Sequence, residues 1–278
     1  MNPMPLKPAV VVTGASSGIG RALARRAAQD GSFMVLVATS QSGLDEAVAE
    51  INAEGHQACA LCLDLRKPQV GCAIQQFLAE RALYCDVLIN CAGFGLYGSA
   101  ATVNIKSQLD LLDVNVRALT ELTLLFLPGM LQRNRGGVLN VGSITSYLPG
   151  PYMAAYFASK AFVRSFSSAL SSEVAGTSVS VTCLNPGVVR TAFFERCPVP
   201  TRLYKLAPRG NIETTADAGW RAFKAGRTVV IPRLVDRLLI GISEFLPTAV
   251  VAQLIAVLQR PPRSPIATHS LEPVGRDQ

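Results

Sequence analysis

Two side chains that could move a proton stand one helical turn apart in the middle of the chain. Tyr156 and Lys160 occur in Tyr-Phe-Ala-Ser-Lys, at the start of an apolar stretch typical of a helix, so they share one helix face. A free phenol with a pKa of about 10 is a poor base at neutral pH, but a neighbouring ammonium favours the phenolate. Ser143 ends the preceding predicted strand and could hold a substrate oxygen. This set predicts general acid/base catalysis, although Tyr-x-x-x-Lys alone also fits a surface pair.

A glycine-rich segment near the N-terminus could bind a phosphate. It runs over residues 10–20 as Val-Val-Val-Thr-Gly-Ala-Ser-Ser-Gly-Ile-Gly. In such a turn the glycines let the backbone approach a pyrophosphate, and the N–H groups and dipole of the following helix favour its charge. A tight strand–helix turn also needs glycine for steric reasons. Because this one follows the first strand of a βαβ unit, we predict dinucleotide binding there.

A parallel sheet would position these residues, because short β-branched apolar runs alternate with amphipathic stretches along most of the chain. The predicted strands are 9–13, 34–38, 58–63, 87–90, 137–141, 179–184 and 228–231. The predicted helices include 18–30, 43–53, 70–81, 107–128 and 152–174. We therefore predict a single α/β domain of the Rossmann type. Its doubly wound, mostly parallel seven-stranded sheet has helices on both faces and its ligand beyond the carboxyl ends of the strands.

Composition narrows the class of protein. The chain has 278 residues, of which 49% are hydrophobic and 16% charged, which suits one large domain and excludes a disordered chain. The seven cysteines are expected to be free thiols. Cys59 and Cys62 form a Cys-x-x-Cys, but on a predicted strand they face opposite sides, and we predict no metal.

Charge and the N-terminal segment bear on partners and location. Of the net charge of +7, residues 196–278 carry +6, from 12 basic and 6 acidic residues. The arginines are scattered and no nucleic-acid motif accompanies them, so we predict a solvated surface with no nucleic-acid partner. The first residues lack the apolar core of a signal peptide, and we expect a cytoplasmic protein.

Further motifs follow in order along the chain: Asn90-Cys91-Ala92-Gly93, Asn115 within Asp-Val-Asn-Val, Ser143, Tyr156 with Lys160, and Pro186-Gly187. With Thr-Gly-x-x-x-Gly-Ile-Gly at 13–20, this arrangement resembles the short-chain dehydrogenase/reductase family over about residues 8–195. The resemblance implies an oxidoreductase that moves hydride between a nicotinamide cofactor and a carbonyl or alcohol carbon.

The resemblance also implies catalytic roles for four residues. Tyr156 would donate the proton in reduction and accept it in oxidation. Lys160 would bind the nicotinamide ribose and lower the pKa of Tyr156. Ser143 would orient the carbonyl, and Asn115 would hold a water that links Lys160 to solvent.

The cofactor-binding residues implied by the resemblance lie on the loops after the strands. Asp64 and Leu65 would meet the adenine ring, and the turn after the fourth strand would line the adenosine ribose. Cys91 stands where a second asparagine is more usual, which should weaken only a turn contact. The predicted set is Gly14, Ser16, Ser17, Gly18, Ile19, Gly20, Thr39, Asp64, Leu65, Asn90, Ala92, Gly93, Tyr156, Lys160, Pro186, Gly187, Val189 and Thr191, the last two contacting the nicotinamide.

The end of the second strand indicates NADP in preference to NAD. Relatives that prefer NAD carry an acid at the position of Ala38, where it repels a 2′-phosphate, and this chain has none. The arginine usual in NADP enzymes is also missing at Thr39. Hydroxyls of Ser17, Thr39 and Ser40, with help from Arg21, could bind the phosphate instead.

Two later segments depart from the strand–helix rhythm. Residues 191–215 are long, contain three prolines and lack periodicity, which predicts a lid. Residues 234–258 are apolar at helical spacing but break at Pro247, short of the roughly 20 apolar residues of a membrane span. We predict that they pack on the core, the pocket or a second subunit. Peripheral lipid contact beside the nearby arginines is the alternative. Residues 1–260 would form the domain, and 261–278 a loose tail.

The sequence therefore predicts an NADP-dependent carbonyl reductase or alcohol dehydrogenase that is a homodimer or homotetramer. Apolar residues after Ser143 and in the lid favour a hydrophobic ketone, aldehyde or 3-oxoacyl substrate. The alternatives are an NADP-binding regulatory protein without turnover and a lipid-surface reductase of acyl chains. A sugar-nucleotide epimerase or dehydratase fits less well, because its relatives usually have a different glycine spacing.

Overall fold

Seven strands form one sheet in the computed structural model, which describes residues 6–189, 197 and 209–260. The strands are β1 Lys7–Thr13, β2 Phe33–Ala38, β3 Ala58–Cys62, β4 Leu83–Asn90, β5 Gly137–Val141, β6 Ser180–Leu184 and β7 Val229–Val230. Their order is β3-β2-β1-β4-β5-β6-β7, and each neighbouring pair is parallel. The chain winds outward in both directions from the β1–β4 pair, so the predicted doubly wound Rossmann-type sheet is confirmed.

Helices cover both faces of this sheet. They are α1 Gly18–Ala28, α2 Gln41–Ala53, α3 Val70–Ala79, α4 Ile105–Leu112, α5 Leu119–Arg133, α6 Ala154–Glu173, α7 Ile212–Lys224, α8 Leu234–Glu244 and α9 Thr248–Gln259. Successive residues of β1 point to opposite faces and enter different cores. Val10 and Val12 pack with α1, α2 and α7, whereas Ala9 and Val11 pack with α3, α5 and α6. The continuous apolar runs of the strands follow from this two-sided burial.

The helix predicted over 107–128 is longer than expected and is not uniform. A π-helical segment, Asp113–Ala118, joins α4 to α5, and the continuous helix extends to Arg133 through Pro128. By length and composition alone, Ile105–Arg133 could cross a membrane. Its inward side chains, among them Leu122 and Met130, are instead buried against the sheet.

After β6, the structure differs from the sequence prediction at the end of the predicted lid and agrees with it in the segment 234–258. Residues 212–215, placed at the end of the predicted lid, form the first turn of α7, which Asn211 caps by accepting a hydrogen bond from Thr214 N at 3.1 Å. The buried residues in the first half of α7, Thr215, Ala216 and Gly219, are small, so its apolar pattern becomes clear only from Trp220 onward. Most of the predicted lid, with Thr191, and the predicted tail 261–278 lie outside the described residues. The segment 234–258 forms two helices on either side of Pro247, as its pattern predicts.

Candidate active site

A cavity of about 750 Å³ opens beyond the carboxyl ends of the strands, where the strand order diverges. Loops after six strands, β1 to β6, and residues of α6, α8 and α9 line it. The predicted site residues that line it are Gly14, Ser16, Ser17, Gly18, Ile19, Gly20, Thr39, Asp64, Leu65, Ala92, Gly93, Ser143, Tyr156, Lys160, Pro186, Gly187 and Val189. The fold therefore brings nearly the whole predicted set to one place.

The glycine-rich turn after β1 forms a cradle that suits a pyrophosphate. Gly14 and Gly18 have φ of +68° and +56°, in the left-handed region that favours glycine. A Cβ atom on Gly14 would lie 2.8 Å from the Cα of Ala92, so the two turns touch through their backbones. The Ser17 side chain does not cap α1, and the first turn of this helix holds no acid. Its first N–H groups therefore remain suitable donors to an anion.

The turn after β4 is held against the end of β1. Thr13 Oγ1 accepts hydrogen bonds from the backbone N–H groups of Cys91 and Ala92, each at 3.2 Å. Burial raises the pKa of the Cys91 thiol to about 12, so it is a neutral packing group. The Asn90 side chain turns away from the cavity and donates to Asn140 Oδ1 at 2.9 Å. Asn90 therefore braces β4 against β5 through its side chain.

Three polar side chains that line the cavity are buried: Ser143, Tyr156 and Lys160. The Ser143 hydroxyl lies beside the phenol of Tyr156, close enough to act on its pKa. Its position is fixed from two sides, because Ser143 N donates to Asn185 Oδ1 at 3.0 Å and Ser143 Oγ accepts from Thr145 N at 3.2 Å. Such a hydroxyl pair can hold a carbonyl oxygen.

The pKa of Tyr156 is raised, whereas the sequence predicts that Lys160 would lower it. Burial raises the pKa of Tyr156 to about 12, and hydrogen bonding with Ser143 offsets only part of this increase. Lys160 Nζ donates to Val141 O at 2.8 Å and lies 6.0 Å from the centre of the Tyr156 ring. Burial also lowers the pKa of Lys160. The expected lowering of the tyrosine pKa is therefore absent from this geometry, because the spacing fixes the helix face but not the direction of the ammonium.

Asn115 lies beside the cavity, in the π-helical segment between α4 and α5. Its Oδ1 accepts from Phe94 N at 3.1 Å, and its Nδ2 donates to Phe94 O at 3.0 Å and to Ser159 Oγ at 3.1 Å. A Cβ on Gly93 would lie 3.0 Å from Asn115 Oδ1 and 3.5 Å from Lys160 Nζ. Asn115 therefore ties the turn after β4 to α6, next to Lys160. Such π segments are frequent at functional sites.

The loop after β3 carries a charged pair that the sequence reading missed. Arg66 lines the cavity beside Asp64 and pairs with its carboxylate at 2.6 Å, which holds the pKa of Asp64 below its usual range. The guanidinium of Arg117, from the π segment, donates to Leu65 O and Lys67 O at 2.9 Å each. This loop is thus fixed to the same element that carries Asn115.

The residues expected to receive a 2′-phosphate are placed unevenly. Ala38 and Thr39 line the cavity. The Ser40 hydroxyl caps α2, accepting from Gly43 N at 3.2 Å. The Arg21 guanidinium is paired with Glu46 and Glu50, at 3.2 Å and 2.7 Å, and does not line the cavity. The geometry therefore argues against the expected help from Arg21, because two carboxylates already hold it.

Two buried polar residues at the site, Asn185 and Asp236, belong to none of the motifs found in the sequence. Asn185 accepts from Ser143 N and precedes Pro-Gly, so a polar residue at the end of a buried strand was the available signal. Asp236, only 4% exposed, lines the cavity directly over Gly187, where a Cβ would collide with its carboxyl group. Burial raises the pKa of Asp236, and Arg233 Nε lies 3.6 Å from its Oδ2. Its signal was a lone acid at the start of an apolar segment.

Comparison with known proteins agrees with this geometry. A family model described as short chain dehydrogenase matches residues 8–198. The ketoacyl reductase HetN of Nostoc sp. is 31% identical over 249 residues, covering 87% of this chain and 86% of that protein. A fatty acyl-CoA reductase of Acinetobacter baylyi is 33% identical over 210 residues, covering 74% and 70%.

A solved structure gives the same result. The short-chain dehydrogenase from Sphingobium yanoikuyae, in complex with NADPH, is 31% identical, with a TM-score of 0.75 over 87% of this chain and 97% of that one. The family model alone covers more than half of the sequence. The chain belongs to the short-chain dehydrogenase/reductase family of oxidoreductases.

Proposed function

We propose that the protein is an NADP-dependent reductase of hydrophobic carbonyl compounds, or a dehydrogenase of the corresponding alcohols, with Tyr156 as the proton donor and acceptor. One observation carries the proposal. The buried Ser143–Tyr156 hydroxyl pair faces the same cavity as the phosphate cradle, with Lys160 beside it.

Residues of the chain would bind the carbonyl oxygen and donate a proton to it. The bound nicotinamide supplies or accepts the hydride at the substrate carbon. Ser143 and Tyr156 would hold the carbonyl oxygen, and Tyr156 would donate its proton to that oxygen. Its raised pKa keeps the phenol protonated at neutral pH, which suits the reductive direction. Lys160 would bind the ribose hydroxyls, and Asn115 would position the water that returns a proton.

The preference for NADP is supported by the end of β2. The described lining of the cavity contains two carboxylates, Asp64 and Asp236, and neither lies on β2. Ala38 places no charge beside a 2′-phosphate, and Thr39 could donate a hydrogen bond to that phosphate through its hydroxyl. A relative of similar fold was solved with NADPH.

A hydrophobic substrate is supported by the wall opposite the cradle. This wall comes mainly from α8 and α9 and consists of Leu148, Leu239, Ile240, Ile242, Leu246, Val251, Leu254 and Ile255. Two of the relatives are named as a ketoacyl reductase and a fatty acyl-CoA reductase. We propose aldehydes, ketones or 3-oxoacyl compounds of medium or long chain.

A homo-oligomer is supported by exposed apolar side chains on the surface of α4, α5 and α6. They are Ile105, Leu109 and Leu112 of α4, Leu124 and Leu131 of α5, and Phe162 of α6. Acids on this face are paired within the chain, for example Asp110 with Lys106 at 3.0 Å, which suits a neutral apolar contact with a second copy. Light scattering of Leu124→Asp against the unaltered chain tests this assembly.

Tyr156→Phe tests the proposed chemistry. Oxidation of NADPH is followed over a series of aldehydes and ketones, and the best substrate is then used for the variant. We expect turnover to fall by at least about 10² while NADPH still binds. Tyr84→Phe is the matched control, since it removes a phenolic hydroxyl from β4 away from the cavity. Full turnover in Tyr156→Phe would contradict the assignment, and NADPH binding without turnover of any carbonyl would favour the regulatory alternative.

A further inference from the structure

The two C-terminal helices expose most of their apolar side chains. The C-terminal apolar face consists of Leu234, Leu238, Leu239, Ile242, Phe245, Leu246, Val250, Leu254, Val257 and Leu258. Phe245 is 91% exposed and Val257 71%. In α8 only Asp236 and Ile240 are buried. A contiguous apolar surface of this extent marks an interaction site.

The charges around this face are mainly positive. Within residues 232–260, the cations are Arg233, Arg237 and Arg260, and Glu244 is the one acid with an exposed side chain, since Asp236 is buried. This pattern differs from the face on α4, where acids are paired with basic residues. Apolar side chains bordered by arginines match an anionic lipid surface, which offers acyl chains below negatively charged headgroups.

The cavity reaches the same face. Four side chains are both exposed on it and part of the cavity wall: Leu239, Ile242, Leu246 and Leu254. Tyr156 and Ser143, both buried, line the same cavity. An apolar chain could therefore pass from this face toward the hydroxyl pair along apolar side chains. A second protein copy seated there would close this route, which argues for a lipid surface as the occupant.

We propose that α8 and α9 dock the protein on the surface of an anionic bilayer, and that long-chain carbonyl substrates enter the cavity from it. The apolar face would insert at the level of the headgroups, and Arg237 and Arg260 would bind lipid phosphates. Each helix is too short to span the bilayer, so the contact is peripheral. Docking on the bilayer does not depend on the proposed function. The entry of substrate from the bilayer does rest on the proposed function.

Flotation of the full chain with phosphatidylcholine vesicles, with and without phosphatidylglycerol, tests the docking. We expect the unaltered chain to float with the anionic vesicles. The double variant Phe245→Ser/Val257→Ser should bind at least about tenfold more weakly, because two inserted side chains are lost. Leu6→Ser, which removes an exposed apolar side chain just before β1, away from both apolar faces, should float normally. Arg237→Gln/Arg260→Gln should lose the dependence on phosphatidylglycerol.

Two further measurements separate this proposal from the function. Phe245 and Val257 do not line the cavity, so turnover of a short water-soluble carbonyl should be unchanged in their double variant, and thermal melting checks its fold. Turnover of a long-chain aldehyde embedded in vesicles should fall. The proposal is overturned if the unaltered chain stays unbound, or if the double variant floats normally. It is equally overturned if light scattering shows that this double variant dissociates an oligomer.

Discussion

The two walls of the cavity are built by different means. On the cofactor side, the backbone turns after β1 and β4 approach each other so closely that a Cβ on Gly14 would collide with the backbone of Ala92. On the other side, α8 and α9 present mainly aliphatic side chains to the cavity. The first wall tolerates almost no change of shape, whereas the second can vary in volume and polarity. We therefore expect substitutions to act very differently on the two sides.

Gly14→Ala should have the largest effect, because it adds an atom between two backbones and forces an alanine into positive φ. We expect a loss of at least about 3 kcal/mol in the free energy of unfolding and at least tenfold weaker NADPH binding. Gly31→Ala is the matched control, since Gly31 also has positive φ but no atom within 4 Å of its Cβ position. Its loss should be about 1–2 kcal/mol. Denaturant unfolding and NADPH fluorescence measure both, and equal losses would mean that the close approach is unimportant.

Ala38→Asp should have the next largest effect, on the same wall but through charge. Two negative charges about 4 Å apart repel by roughly 4 kcal/mol at an effective dielectric constant of about 20, before screening. NADPH affinity should therefore fall at least about tenfold more than NADH affinity. Ala53→Asp makes the same substitution at the exposed C-terminal end of α2, outside the cavity, and should change neither. Tighter binding of NADH than NADPH by the unaltered chain would refute the proposed preference.

Val251→Thr probes the apolar wall with little change of volume. A hydroxyl without a partner in this wall should lower kcat/KM for long-chain substrates by about fivefold to thirtyfold, since burying it costs about 1–2 kcal/mol. NADPH affinity should stay unchanged. Val235→Thr makes the same substitution on α8, away from the cavity, and serves as control. If NADPH affinity falls together with kcat/KM, the two walls are not independent.

Asp236→Asn should have the smallest effect, and it depends on pH. Because burial raises the pKa of Asp236, the folded protein holds this proton more tightly than the unfolded chain does. Its ionisation therefore costs stability as pH rises above the ordinary value of about 4 toward the raised one. Relative to the unaltered chain, the variant should gain stability with rising pH across that window. A difference in unfolding free energy that stays constant with pH would show that the carboxyl group is not strained by burial.

The contrast between the walls also explains what could be predicted from the sequence. The turn after β1 and the Tyr156–Lys160 spacing involve backbone geometry and one helix face, which local sequence specifies. The direction of Lys160 Nζ toward the Val141 carbonyl and the pairing of Arg21 with Glu46 and Glu50 depend on contacts between residues separated along the chain. Asn185 and Asp236 were missed because a single buried polar residue carries no periodicity. The apolar pattern of 234–258 predicted two helices but not which side chains would line the cavity.

The π-helical segment between α4 and α5 implies a constraint on chain length. An α-helix turns by about 100° per residue, so removing one residue from Asp113–Ala118 would rotate α4 and Asn115 relative to α5 by about that angle. The inward face of α5 is fixed in the core, and the rotation would fall on Asn115, which would lose Phe94 and Ser159 together. This stretch can therefore accept many substitutions at its outward positions but neither an insertion nor a deletion.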